Sequence, residues 1–139
     1  MSLVLLDTHS WLWLLNGSRS IGRKSRKAIE EALSDGAVLV SAISAWEVAM
    51  LVAKGRLVLD RDVGEWIATA LELPGMLLEP MTPDIAVAST RLPGDLHGDP
   101  ADRIIAATAR HCSAVLITED RLLLDYGKAG HVKTISASQ

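Results

Sequence analysis

Short, uninterrupted apolar runs alternate with longer Ala- and Leu-rich stretches along the whole chain. No other feature restricts the fold as much. The short runs, of strand length, are Leu3–Leu6, Val38–Val40, Met76–Leu78, Val115–Ile117 and a weaker one at Val132–Ile135. The longer stretches, of helical length, are Ser10–Asn16, Ser20–Ser34, Ala42–Lys54, Asp62–Leu71, Asp84–Leu92 and Ala101–His111, with a short last one at Arg121–Tyr126. Such alternation predicts an α/β fold, a mainly parallel central sheet covered by helices on both faces. The strands fit this because they are apolar throughout, as strands buried on both faces are. With 139 residues, 49% of them hydrophobic, the chain is predicted to be a single domain over 1–139 that buries a core without staples.

Turn and cap residues fall where the alternation needs them. Asn16-Gly17 and Lys54-Gly55 follow predicted helices, and Gly36 precedes the second strand. Thr82-Pro83 and Asp99-Pro100 each place a capping residue before a proline at a first helical position. The segment 92–100 is the richest in turn formers and is predicted to be a loop feeding a helix. The tail 136–139 is expected to fray.

Composition removes several function classes. A single cysteine, Cys112, excludes an internal disulfide framework and a Cys-based zinc ribbon. A formal charge of −3 gives no bulk attraction to polyanions, so nucleic-acid contact would need a local basic patch. The apolar N-terminal segment lacks a basic leader and is interrupted by Asp7 and His9. The charge-poor stretch 37–53 contains Glu47 and a strand-to-helix break, so neither reads as a signal peptide or a membrane span. The expectation is a soluble cytoplasmic domain. There is no phosphate-binding glycine loop, no dinucleotide fingerprint and no serine-hydrolase elbow.

Acidic residues stand at telling positions. Asp7 directly follows the first strand, where α/β folds bind ligands and where an Asp is also an ordinary helix cap. Glu47 is the sole charge between Ala37 and Ala53, with apolar neighbours at helical spacing and no Lys or Arg within four residues. Asp99 and Asp102 frame the start of an apolar helix. Asp99 is well explained as its cap, so Asp102 is the better candidate for chemistry. Asp120 follows the fourth strand much as Asp7 follows the first.

Asp7, Glu47, Asp102 and Asp120 are therefore expected at one end of the sheet. Carboxylates about 4 Å apart repel by roughly 4 kcal/mol at a typical effective dielectric, unless a cation offsets it. An all-oxygen acidic site suits Mg²⁺ or Mn²⁺, which can activate water and hold phosphoryl oxygens, the requirements of phosphodiester hydrolysis. His97, beside Gly98-Asp99, and His9 read as polar surface or structural side chains at least as readily as ligands. Arg19, Arg23, Lys24, Arg26 and Lys27 form the one basic cluster, a solvated face or a phosphate track. The tryptophans, Trp11, Trp13, Trp46 and Trp66, read as core or interface anchors.

The segments LLDTHSWLWLL, SAISAWEVAML, HGDPADRIIAATA and LITEDRLLL, in this order and spacing, together resemble a PIN-domain ribonuclease, closest to VapC-like toxins of toxin–antitoxin pairs. The resemblance spans about Leu3 to Ile135. It implies a three-layer α/β/α sandwich and an acidic quartet at Asp7, Glu47, Asp102 and Asp120 that holds the metal and is catalytic, with Asp99 as an additional acid. It further implies Mg²⁺- or Mn²⁺-dependent endonucleolytic cleavage of RNA, a homodimer, and silencing by a cognate antitoxin. The basic segment from Arg19 to Lys27 is no family signature. Two rival expectations are a haloacid-dehalogenase-like phosphatase using Asp7, which ordinarily wants an Asp where His9 stands, and a non-catalytic partner-binding module whose acids are merely caps.

Overall fold

The first strand, β1 (Val4–Leu6), is buried at every residue because helices cover both faces of the sheet at its centre. The structure, a computed structural model, describes residues 3–139. Five strands lie in the order β3-β2-β1-β4-β5, all parallel: β2 is Val38–Ser41, β3 Met76–Glu79, β4 Val115–Thr118 and β5 Lys133–Ser136. Successive side chains of a strand point to opposite faces. Val4 and Leu6 accordingly join Val38, Val40 and Ile117 in one core, with Trp11, Ile29 and Trp66 above them. Leu5, in register with both Leu39 and Leu116, lies in the other core against Ile105, Ala106 and Leu123. Two cores separated by one sheet make the three-layer α/β/α architecture, as expected.

Seven helices connect the strands: α1 (Thr8–Leu15), α2 (Arg23–Ser34), α3 (Ala42–Ala53), α4 (Val63–Leu71), α5 (Pro83–Ser89), α6 (Pro100–Cys112) and α7 (Arg121–Lys128). Their beginnings follow cap chemistry. Asp62, Thr82, Asp99 and Asp120 each accept from backbone N–H groups of the first turn, and Pro83 and Pro100 occupy first helical positions where no N–H is needed. Ser41 ends β2 and caps α3, so strand and helix join without a loop. Trp11 and Trp66 meet edge to face in the first core, with centroids 5.2 Å apart, whereas Trp46 is 56% exposed.

Three local expectations differ from the structure. Helix α2 begins at Arg23 rather than Ser20, because Gly22 is tied to the C-terminal segment: its N–H donates to Ala137 O, and a Cβ there would overlap the backbone of Ser138 and Gln139. The tail does not fray. Ala137 is fully buried and donates to Thr118 O, Ser25 N–H donates to Gln139 O, and the Ser25 hydroxyl donates to Ser136 O. Backbone partners hold it, and composition cannot report those. Strand β3 is apolar yet leaves Leu77 and Leu78 half exposed, since it is the edge strand and pairs on one side alone. Among the described residues, no helix is long and apolar enough to cross a membrane.

Candidate active site

The strand order reverses around β1, with β2 on one side and β4 on the other. Open α/β sheets leave a crevice at the carboxyl ends of strands at such a point. Asp7 is the residue after β1 and the cap of α1, and it is 7% exposed. Asp120 stands two residues beyond β4 and caps α7. Asp102 lies in the first turn of α6, and Glu47 on α3.

Hydrogen bonds knit these elements together. Thr8 N–H donates to Asp7 Oδ1 (2.8 Å) and the Thr118 hydroxyl to Asp7 Oδ2 (2.6 Å), so both Asp7 oxygens are engaged. The Thr8 hydroxyl donates to Glu47 Oε1 at 2.6 Å and lies 2.8 Å from the Ser44 hydroxyl. A hydroxyl has one proton, so Ser44 supplies the proton of that second contact. Asp120 N–H donates to Thr118 Oγ1 at 3.0 Å. A continuous chain thus runs Glu47–Thr8–Asp7–Thr118–Asp120, from helix α3 across the ends of β1 and β4. On the far side, Asp99 Oδ1 accepts from Asp102 N–H, and His97 Nε2 lies 3.1 Å from Asp102 Oδ2.

The electrostatics show the crowding. Burial pushes the Asp7 carboxyl above the usual range, against the pull of hydrogen bonds from Thr118 and Thr8. Burial does the same to Glu47, aided by the charges of Asp7 and Asp99. Asp102 is pushed up to about 7, first by burial and then by Asp120, Asp7, Asp99 and Glu47. Every expected acid therefore acts on Asp102. Among the described residues the ion pairs are Arg61–Asp60 and His97–Asp102, so no Lys or Arg neutralises the group.

A divalent cation fits this donor set. Carboxylate oxygens of Asp102 and Asp120 lie within 4.8 Å of each other with His97 beside them, and oxygen suits a hard cation; Asp7 and Glu47 stand outside this closest group. Cation charge would also relieve the repulsion that raises these carboxyl groups. A wide surface concavity lies elsewhere, at the amino ends of β4 and β5, and contains none of the four acids. Convergence of charge, not depth, marks the site. A smaller apolar hollow lined by Ile43, Trp46, Met50 and Pro100 adjoins Glu47 and Asp99.

Reasoning from sequence passed over the hydroxyls of Thr8 and Thr118, which orient two of the acids, and set His97 aside as surface. The Asp-Thr step after β1 and the Thr two residues before Asp120 carried that signal. The basic cluster is not part of the site's contacts: Arg19, Arg23, Lys24, Arg26 and Lys27 are all exposed.

Comparison with known proteins agrees with this fold. The PIN domain profile matches residues 4–129. The chain is 35% identical over 123 residues to Ribonuclease VapC22 of Mycobacterium tuberculosis (strain ATCC 25618 / H37Rv), covering 88% of this chain and 91% of that protein. Its fold superposes on a chain of VapBC2 from Rickettsia felis with a TM-score of 0.70 at 15% identity, covering 96% and 97% of the two chains. It also superposes on a chain of FitAcB from Neisseria gonorrhoeae with a TM-score of 0.63 at 24% identity, covering 97% and 98%. Sequence and fold together place the chain in the PIN domain family.

Proposed function

We propose that this chain is a metal-dependent endoribonuclease, the toxin of a toxin–antitoxin pair. One observation carries the reading: acids from separate elements crowd together, Glu47 and Asp7 bridged by Thr8, Asp102 and Asp120 within 4.8 Å of each other, the others all raising the Asp102 pKa, with no Lys or Arg paired to them. The name Ribonuclease VapC22 of the 35% identical relative supports RNA as the substrate. The toxin–antitoxin complexes among the structural neighbours support an antitoxin partner. The single nuclease domain over 1–139, the cytoplasmic setting and the homodimer follow from the family likeness alone.

Asp7, Glu47, Asp102 and Asp120, with Asp99 assisting, would hold Mg²⁺ or Mn²⁺, directly or through waters. When bound, such an ion lowers the pKa of water and neutralises charge on phosphoryl oxygens. Thr8 and Thr118 fix the Glu47 and Asp7 carboxylates beforehand, so little side-chain entropy remains to be lost on binding. One of the four carboxylates takes the proton of the attacking water as the P–O bond to the leaving oxygen breaks. The use of Asp7 as a nucleophile gains no support: position 9, where such a phosphatase ordinarily wants an Asp, is an exposed histidine.

The experiment is RNA cleavage by purified protein with Mn²⁺ or Mg²⁺, comparing wild type with Asp7→Asn and Asp102→Asn. Both variants are expected to fold and to lose cleavage. Wild-type cleavage by repurified Asp7→Asn protein would refute the assignment.

A further inference from the structure

The segment between α5 and α6 has no regular secondary structure, yet it is held at several points. The Arg103 guanidinium donates from Nε to Ser89 O (2.9 Å) and from Nη1 to Leu96 O (2.8 Å) and His97 O (3.4 Å). The Tyr126 hydroxyl donates to Pro93 O at 2.5 Å, and Leu92 and Leu96 pack against the second core. A charged fork spent on three backbone carbonyls is a costly way to hold an ordinary surface loop, because the guanidinium gives up its hydration for neutral acceptors. What the clamp places is the imidazole of His97.

His97 is 24% exposed at its side chain, and Asp102, which it faces, is 19% exposed. The Asp99 N–H donates to His97 Nδ1 at 3.3 Å. That bond needs a lone pair on Nδ1, so the neutral ring carries its proton on Nε2. The nitrogen 3.1 Å from Asp102 Oδ2 is then a donor and has no lone pair to offer a cation. Nε2 is also shielded from solvent and lacks an aligned hydrogen-bond partner: Asp102 is within reach but off the line of the N–H. A buried donor left in that state calls for its acceptor.

Resting on the reading of the four acids as a metal centre, we infer that His97 is a positioning residue: its Nε2–H bonds Asp102 Oδ2 and turns the other carboxylate oxygen toward the cation. Hydrogen bonds to ligating groups fix their orientation and strengthen binding. Arg103 acts one step further out, holding the backbone on which His97 sits.

Mn²⁺ titration of the intact protein, followed by calorimetry and by electron paramagnetic resonance, tests this. His97→Ala is expected to weaken Mn²⁺ binding roughly 10- to 100-fold, as loss of an outer-shell partner does. His97→Gln, whose side-chain amide is also a donor, is expected to restore most of the affinity. The Mn²⁺-loaded wild type is expected to show no directly bonded ¹⁴N in its spin-echo modulation. Wild-type affinity in His97→Ala, or His97→Gln as weak as His97→Ala, overturns the inference while the metal centre stands. Strong ¹⁴N coupling lost in His97→Ala overturns it by making His97 a ligand. Failure of the wild type to bind Mn²⁺ removes the metal centre itself, and the inference with it.

Discussion

Helices α2 and α3 carry charge in opposite ways. On α2 the Arg23, Lys24, Arg26 and Lys27 side chains all stand in solvent, while Ser25, Ile29 and Ala32 face the interior. On α3 a single charge, Glu47, sits half-buried between the buried Ser44 and Val48, joined to Asp7 through Thr8, whose hydroxyl bonds Glu47 and whose N–H bonds Asp7. Four exposed cations cost the fold little and specify little, because water solvates each of them. One half-buried anion with no cationic partner costs the fold something, so its presence needs a reason beyond stability. The lesson is that isolation of a charge in an apolar segment identifies a site better than abundance of charge.

Glu47→Gln should give the largest effect and tests the comparison most directly. The amide keeps an oxygen for the Thr8 hydroxyl and removes the charge. If Glu47 holds the metal as proposed, RNA cleavage should fall by more than the roughly 10–100-fold typical of an outer-shell loss. The metal-free protein should meanwhile melt no lower than wild type, and higher at pH 8, because burial and the charges of Asp7 and Asp99 disfavour the ionised carboxylate there. A metal-free variant that melts lower at pH 8 would make Glu47 a structural charge like any other.

The next effect is the pH dependence of the metal-free fold. Asp102 is pushed up to about 7 in the fold against 3.8 for an ordinary Asp, and Asp7 and Glu47 are shifted in the same direction. Between these limits the native state holds protons that the unfolded chain has released. Stability then falls as pH rises toward about 7, and these groups add no further loss well above it. In EDTA the melting temperature should therefore be higher at pH 5.5 than at pH 8. Mn²⁺ at about 100 times its Kd at pH 5.5 adds about 2.7 kcal/mol by linkage, and the same Mn²⁺ concentration should add more at pH 8, where the carboxylates are ionised and the Kd is lower. An EDTA profile that climbs from pH 5.5 to 8 would place these acids among favourable partners after all.

Much of this was legible in the chain because the relevant physics is local. Continuous apolar runs at positions 4–6 and 38–40 announce strands covered on both faces, and Asp99-Pro100 announces the start of α6. Asp7, Asp99 and Asp120 are indeed caps, as the plain reading had it. Capping does not compete with chemistry here: it fixes Asp7 and Asp120 just beyond the ends of β1 and β4, and Asp99 at the start of α6. What stayed hidden depends on partners far away in sequence. Thr118 reaches Asp7 across 111 positions, and the tail is held by α2 and by Thr118 O. The proton position of His97 follows from a backbone N–H two residues on, which matters only once the loop's shape is known.

The smallest effect belongs to α2 and has the opposite sign. Arg23 and Lys24 open the helix, its first turn holds no acid, and Gly22 supplies no side-chain cap. Positive charge at a helix N-terminus opposes the macrodipole, so Lys24→Glu should stabilise the fold by about 0.3–1 kcal/mol at low ionic strength, an increment lost in high salt. Thermal melts at two salt concentrations measure it. RNA cleavage and its salt dependence should stay as in wild type, because this helix contributes no contact to the acids. Each phosphate contact removed from a single strand would instead flatten the slope of log affinity against log salt by about 0.7. A flatter slope in Lys24→Glu would show that the exposed cations of α2 grip the substrate backbone, and abundance of charge would then mark function as well as isolation does.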